Sequence, residues 1–363
     1  MHDNGFAVVV DRPGEVRLQD LPPRDGLPDG QFDVETVFSG LSAGTDLSWV
    51  KGSNPALHRH FDTDLGLFLP GAAHAGYPVE RFGYMQVGRV TASRTPTVTP
   101  GDLVAMTYGH RSHYRADALR DRFVPLPRSL DPVLGIYVAH MGPICANGLL
   151  HAAADVVGAD VRGLGDGVRG RHVAVVGAGV VGLLTALLAA HHGADVLVFD
   201  ETAERCRIAE RLGLPTLNLR AGDPAVVVKQ RWGRPGERGA DVVFQCRGRG
   251  SALALALRLL RPQGTVIDLA FYQGGCDEVH LGEEFHHNGL SVRCAQIGRV
   301  PRGTAHLWNR DRLSAETVAL LDDRGDAIVE HLITDRVPLV EAPQVLTRLA
   351  ATRHQGLQVV FTG

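Results

Sequence analysis

Three glycines in the 363-residue sequence, Gly177, Gly179 and Gly182, have the spacing that a bound pyrophosphate requires. They follow the apolar run Val173-Ala174-Val175-Val176 and precede a second apolar run that reads as a helix from Val181 to His191. In such a strand, turn and helix unit the first glycine makes the tight turn, the second lets a phosphate approach the backbone, and the third lets helix and strand pack closely. The helix start at Val180 and Val181 adds N–H groups with no internal partner and a partial positive charge, both favourable to phosphate. Asp200, just past the next strand (Asp195–Phe199), lies near the ~20-residue offset expected of a carboxylate that binds the adenosine ribose. A carboxylate there accepts hydrogen bonds from the ribose hydroxyls and repels a 2′-phosphate, so the expected cofactor is NAD rather than NADP. Arg205 and Arg207 weigh the other way, because a nearby arginine can host that phosphate, although at helical positions they equally suit solvated surface.

A turn of this kind needs a parallel sheet wrapped by helices, and from about residue 138 the sequence alternates apolar strand, glycine turn and amphipathic helix. The expected units are strand His172–Val176, helix Val181–His191, strand Asp195–Phe199, helix Ala203–Leu212, strand Asp241–Gln245, helix Ser251–Leu260, and strands Thr265–Leu269 and Ser291–Ala295. Residues 218–240, polar and rich in Arg and Gly, carry no clear assignment. The first third is different: short β-branched runs at Phe6–Val10, Val16–Leu21, Asp33–Phe38 and Gln86–Ala92, punctuated by turns such as Arg12-Pro13-Gly14, predict a β-rich domain. After Arg299 come a helical stretch at Ser314–Asp322, the segment Leu332–Pro338, a helix at Glu341–Ala350 and a closing strand at Gln358–Phe361. That tail is too short to bury a core alone and is expected to fold back on the first domain. The expected division is therefore 1–137 with 298–363 as the substrate domain and 138–297 as the NAD-binding domain.

Composition narrows the function classes. A chain of this length with 44% hydrophobic and 21% charged residues suits two ordinary globular cores. A formal charge of −3 supplies no positive field for nucleic acid or an anionic membrane, which leaves a small molecule as the expected partner. The longest apolar runs stop well short of the ~20 residues that span a bilayer. The start, Met1-His2-Asp3-Asn4-Gly5, has no secretion-signal pattern, and a cytoplasmic location is expected. The five cysteines, Cys145, Cys206, Cys246, Cys276 and Cys294, form no Cys-x-x-Cys pair and read as reduced thiols.

Several stretches together resemble the medium-chain dehydrogenase/reductase family. Besides the glycine turn, Gly239-Ala240-Asp241-Val242-Val243-Phe244-Gln245-Cys246 is similar to the fourth strand of the family's nucleotide domain, which implies that Cys246 lies at the cofactor. Leu259-Leu260-Arg261-Pro262-Gln263-Gly264-Thr265-Val266 is similar to its fifth strand with the preceding turn. Gly44-Thr45-Asp46 resembles the segment after the first catalytic zinc ligand, and Gly101-Asp102-Leu103-Val104 the family's Gly-Asp-x-Val turn. The resemblance spans nearly the whole chain and implies an α/β protein: a GroES-like β-barrel catalytic domain, a Rossmann domain with a doubly wound parallel sheet, and a substrate cleft where they meet. It also implies a homodimer, since the edge of the family's last nucleotide-domain strand, here Ser291–Ala295, often pairs with a second subunit.

The departures from the family pattern concern zinc. Ala43 stands where the zinc enzymes have Cys, and Gly83-Tyr84-Met85 where they have Gly-His-Glu. Neither Ala nor Met is a Zn²⁺ ligand of the Cys, His or carboxylate kind, and no cysteine precedes Cys145 to build the family's structural site. No metal is expected. The histidine pairs His58/His60, His110/His113 and His286/His287 are of a kind common without a metal, and His191/His192 suit a helix C-terminus. Side chains must then manage the proton that accompanies hydride transfer. The resemblance puts Thr45 at the family's proton-relay hydroxyl, Tyr84 in the place of the lost His ligand, and His140 where the chain crosses between domains; Asp46 would orient the relay or cap a helix. Thr45 equally suits a turn cap, Tyr84 a packed aromatic and His140 a core imidazole. His110, His113, Asp62 and Asp64 are secondary candidates on loops. The leading expectation is a zinc-independent, NAD-dependent oxidoreductase that interconverts a secondary alcohol, of polyol, cyclitol or sugar type, with its ketone. The alternatives are a redox-neutral epimerase or lyase with tightly bound NAD, a quinone or enone reductase, and a catalytically silent NAD-binding protein.

Overall fold

The computed structural model describes residues 5–69, 76–220, 222–352 and 356–363, and the chain forms two compact units, one of residues 1–140 with 333–363 and the other of residues 141–332. The first unit opens with an antiparallel hairpin, β1 (Phe6–Arg12) and β2 (Glu15–Asp20), closed by the Pro13-Gly14 turn with Gly14 at φ +81°. Strand β3 (Gln31–Gly40) is followed by helix α1 (Ala43–Lys51), the small hairpin β4 (His60–Asp62) and β5 (Leu67–Leu69), and strands β6 (Gln86–Ser93), β7 (Leu103–Met106), β8 (His113–Asp117) and β9 (Val124–Pro125). In β3 the period-2 pattern turns Phe32, Val34 and Thr36 inward, where they meet Val90, Val104, Met106, Tyr108 and Ala116. A second apolar cluster gathers Val8, Val10, Leu41, Leu47 and Val50.

The second unit begins with helix α2 (Met141–Val157), then alternates β10 (His172–Val176), α3 (Val180–His191), β11 (Asp195–Asp200), α4 (Ala203–Arg211), β12 (Thr216–Asn218), α5 (Pro224–Arg231), β13 (Ala240–Gln245), α6 (Gly250–Leu259), β14 (Leu260–Asp268) and β15 (Ser291–Cys294), and ends in the long helix α7 (Arg310–His331). The strands pair in parallel in the order β12-β11-β10-β13-β14-β15, so the sheet reverses its winding between β10 and β13. That is the doubly wound order of dinucleotide-binding domains, whose ligands bind beyond the carboxyl ends of the strands at the reversal. The core strands are apolar on both faces, as a sheet covered by helices on both sides requires: Val173–Val176 and Val196–Phe199 are all buried.

The chain then returns to the first unit through β16 (Ile333–Pro338), α8 (Ala342–Ala351) and β17 (Gln358–Thr362). β17 pairs antiparallel with β3, Val360 opposite Gly40, and parallel with β16, which completes a sheet in the order β16-β17-β3-β6-β7-β9 with β8 also on β3. The amphipathic helix α8 covers the cluster around Val8 and Leu47 with Val345, Leu346 and Leu349. The architecture is the expected α/β one, a β-rich GroES-like unit and a Rossmann unit.

Three details differ from the sequence expectation. Residues 298–332 go with the second unit, not with the tail. Helix α7, which starts at the Asn309 cap and is longer than the expected Ser314–Asp322, packs on α2, where Gly142 lies so close to Thr317 that an added Cβ would sit 2.1 Å from its Cγ2. An apolar stripe announces a buried face but not the neighbour that covers it. The boundary on the other side falls at His140/Met141 rather than after residue 137, because α2 is continuous from Met141. Residues 218–240, polar in composition, contain α5, capped by the Asp223 side chain on the Ala225 N–H (3.0 Å) with Pro224 at its first position.

Candidate active site

In the second unit the glycine turn has the geometry a phosphate needs. Gly177 sits at φ +105°, accessible without strain only to glycine. An added Cβ on Gly182 would stand 1.8 Å from the Gly177 carbonyl oxygen, so that glycine is required for the approach of α3 to β10. At Gly179, by contrast, a Cβ would meet nothing within 4 Å; the backbone faces open space. Gly179 caps α3 without any side-chain hydrogen bond, which leaves the N–H groups at Val180 and Val181 uncapped by a side chain at the positive end of the helix dipole. An open cradle of backbone donors fits the diphosphate of a nicotinamide dinucleotide.

Around this turn the carboxyl ends of the strands bring together residues that the sequence reading named and some that it passed over. Asp200, expected at the ribose, is only 2% exposed: its Oδ2 accepts the Ala178 N–H (2.9 Å) and its Oδ1 the Thr202 N–H (2.8 Å). The carboxylate thus fastens the turn to the end of β11. Arg205, on α4, brings its Nη1 to 4.0 Å from Asp200 Oδ2. Cys246, part-buried, donates its N–H to Val176 O and lies 3.6 Å from a Cβ built on Gly182; burial pushes its thiol well above the ordinary range and keeps it neutral. Glu201 and Arg247 form an ion pair of 2.6 Å. Beyond β13 and β14, Tyr272 Oη donates to Asp268 Oδ2 (2.8 Å) and accepts from Gln245 Nε2 (2.7 Å), and burial raises the pKa of both Asp268 and Tyr272.

In the first unit the candidate catalytic residues cluster about the start of α1. Ser42 is its N-cap, Thr45 and Asp46 lie in its first turn, and Asp46 Oδ2 accepts the Ser42 N–H at 2.8 Å. With its backbone N–H engaged by Asp46, Ser42 has its hydroxyl available for a short hydrogen bond with Tyr84 Oη. The Tyr84 ring in turn lies 4.5 Å from the His140 ring, tilted by 58°. Tyr84 is carried by Gly83, whose φ of +89° and close approach to His110 admit only glycine: a Cβ there would stand 2.7 Å from His110 Nε2.

Behind this group runs a buried polar chain. Gln86 Nε2 donates to Ser39 Oγ (3.1 Å), Ser39 Oγ meets His110 Nδ1 (2.8 Å), and His110 Nε2 meets Asp46 Oδ2 (3.3 Å). A carboxylate can only accept, so the hydrogen between His110 and Asp46 lies on Nε2. His110 and Asp46 are both wholly buried, His110 between Phe82 and Phe361. Asp46, expected among the catalytic residues, is wholly buried with its Oδ2 held by Ser42 and His110, and His110, expected on a loop lining the pocket, packs in the core between Phe82 and Phe361. Ser39, Ser42 and Gln86 were missed by the sequence reading; only Ser42 carried a signal, as a residue suited to cap the helix after it.

The secondary candidates lie apart. Asp62 Oδ1 accepts the Asp64 and Leu65 N–H groups and shapes the β4–β5 turn. His113, on β8 and not in a loop, has its pKa lowered by burial and lines a cavity of about 720 Å³ with Phe6, Arg24, Glu35 and Val340; none of Thr45, Tyr84 and His140 lines it. His191 and His192 pair with Asp323 and Glu316 at the end of α3. Ala43 offers no donor, Met85 is fully buried, and among the described residues no group of three or more His, Cys, Asp or Glu stands ready for a metal. Among the described residues, no helix is long and apolar enough to cross a membrane.

Comparison with known proteins finds dehydrogenases of similar sequence and fold. A family model described as zinc-binding dehydrogenase matches residues 180–308. The chain is 27% identical over 325 residues to D-guloside 3-dehydrogenase of Escherichia coli (strain K12), covering 86% of this chain and 87% of that one. Among solved structures it is similar to galactitol-1-phosphate dehydrogenase from Escherichia coli (TM-score 0.72, 19% identity, 99% and 100% of the two chains). It is also similar to a Sinorhizobium meliloti 1021 protein described as a zinc-binding dehydrogenase and solved bound to NADP (TM-score 0.74, 22% identity, 99% of each chain). Fold and sequence likeness together support an oxidoreductase of the dehydrogenase type. In sequence and fold the chain is similar to medium-chain dehydrogenases, the family-model match lying in its second unit.

Proposed function

We propose that the chain is an NAD-dependent dehydrogenase that interconverts a secondary alcohol of the polyol, cyclitol or sugar type with its ketone, without zinc. The observation that carries this reading is the group around Tyr84: its phenol is bonded to Ser42 and its ring lies against that of His140, in the stretch where the family's zinc enzymes carry metal ligands. The name of the relative from Escherichia coli, a D-guloside 3-dehydrogenase, favours a sugar-like alcohol. A bound nicotinamide dinucleotide accepts the hydride that leaves the carbinol carbon.

This chain's residues handle the hydroxyl proton. Ser42 and Tyr84 share a hydrogen bond in which either hydroxyl can donate, and in the complex Tyr84 turns its hydrogen to the substrate oxygen while Ser42 donates to Tyr84 Oη. The His140 imidazole takes the proton from that oxygen as the hydride departs and returns it in the reverse direction. Thr45, on the first turn of α1, supplies a further hydroxyl for the relay, and Asp46 fixes Ser42. At the glycine turn Val180 and Val181 hold the diphosphate with their N–H groups, and Asp200 keeps the turn in shape. The enzyme is proposed to act as a cytoplasmic homodimer paired along β15, whose four residues are exposed at the edge of the parallel sheet.

The test is formation of reduced nicotinamide from NAD or NADP with a panel of polyols, cyclitols and glycosides, before and after chelator treatment. The expected result is chelator-resistant turnover with NAD. Activity lost to chelator and restored by Zn²⁺ refutes the zinc-free part, and preference for NADP refutes the cofactor assignment.

A further inference from the structure

The parallel sheet places β11 and β13 on either side of β10, and the glycine turn leaves β10 at its carboxyl end. An ion pair between the residue after β11 and a residue just beyond β13 must cross above that end. Glu201 and Arg247 form it: Arg247 Nη2 donates to Glu201 Oε1 at 2.6 Å, and Arg247 Cβ lies 3.3 Å from where a Cβ on Gly177 would stand. The pair spans the reversal point of the sheet, where an open parallel sheet receives its ligand. Both side chains are partly exposed, at 29% and 22%, whereas Asp200 beside them is almost sealed and has an N–H on each carboxylate oxygen.

We propose that Glu201 and Arg247 are dinucleotide-binding residues and the determinants of cofactor choice, a role that rests on the dinucleotide assignment above. Glu201 accepts from the adenosine ribose diol, and Arg247 exchanges its bond to Glu201 for one to the diphosphate. Asp200 is a positioning residue that holds the turn. The exchange is easy because a partly exposed ion pair is weak, and an arginine fork matches phosphate oxygens as well as it matches a carboxylate. Glu201 also disfavours a 2′-phosphate by like charge, and with that charge gone Arg205 is left to attract one.

The experiment is calorimetric titration of the full-length protein with NAD and with NADP, together with thermal melting, for wild type, Glu201→Gln, Arg247→Gln and Asp200→Asn. Glu201→Gln is expected to weaken NAD about tenfold and to strengthen NADP, with unchanged melting. Arg247→Gln should weaken both dinucleotides about tenfold. Asp200→Asn should lower the melting temperature and weaken both alike. An NAD/NADP affinity ratio unmoved by Glu201→Gln but shifted by Asp200→Asn overturns the assignment. A wild-type protein that binds neither dinucleotide overturns the dinucleotide reading itself, whereas one that binds and ignores both Glu201→Gln and Arg247→Gln overturns only this inference.

Discussion

Replacing Tyr84 by Phe separates chemistry from packing at the proposed site. The substitution keeps the ring, and with it the 4.5 Å approach to His140, and removes one hydroxyl bonded to Ser42. Tyr84 is only part-buried, so the lost hydrogen bond should cost stability no more than about 1 kcal/mol, a melting shift of a few degrees at most. Turnover should respond on another scale. If the phenol donates to the substrate oxygen in the transition state, its loss removes a positioned acid and kcat/KM should fall roughly 10²–10⁴-fold, equivalent to about 3–5 kcal/mol of barrier. Ser42→Ala provides the internal control. It leaves the phenol but removes the group that orients it, and because no side-chain cap bond is lost at the start of α1, the helix should be little affected. Its expected cost is roughly tenfold in kcat, smaller than that of Tyr84→Phe. The assay is steady-state dehydrogenation with the best substrate of the panel, alongside thermal melting and NAD titration of each variant. Near-normal kcat/KM in Tyr84→Phe, with melting and NAD affinity intact, would refute the reasoning and move the proton path elsewhere.

Three other expectations can be checked on the same protein. Gly182→Ala drives a Cβ to 1.8 Å from the Gly177 carbonyl oxygen, so it should destabilise the second unit by roughly 1–3 kcal/mol and weaken NAD binding, seen in melting and titration; an unchanged protein would mean that α3 can move away from β10. Burial depresses the pKa of His151 from its ordinary 6.5 to about 4, so the unfolded chain binds a proton that the folded one refuses. Stability from this group is present above pH 6.5 and is lost as the pH falls from there towards 4. His151→Leu should flatten that part of the stability curve, and a curve that stays as steep would show that other groups cause the loss. Val292→Asp on the exposed strand β15 should turn the proposed dimer into a monomer by light scattering at micromolar concentration, whereas a wild-type monomer refutes pairing along that edge.

The local part of this protein was legible in its sequence. Glycine spacing, the apolar strands around it and the amphipathic helices between them are set by neighbours a few residues apart, and the expected β10, α3, β11, β13 and β15 agree with the structure to within a residue or so. The departures at Ala43 and Met85 were equally legible, because a residue's identity is the same in any fold. Tertiary structure alone decided which surface each element covers and which distant side chains meet. Helix α7 shows the first: its apolar stripe was visible, yet only packing assigns it to α2 and α3 rather than to the β-rich unit. The Ser39–His110–Asp46 chain and the Glu201–Arg247 pair show the second. Their partners are brought together by strand register and sheet order across tens of residues, so no local pattern announces them. Asp200 shows how the two levels combine. Its offset from the glycines marked it as part of the nucleotide site, but only the fold turns its carboxylate inward onto the Ala178 N–H, because a buried charge is stable only where hydrogen bonds replace the water it has lost.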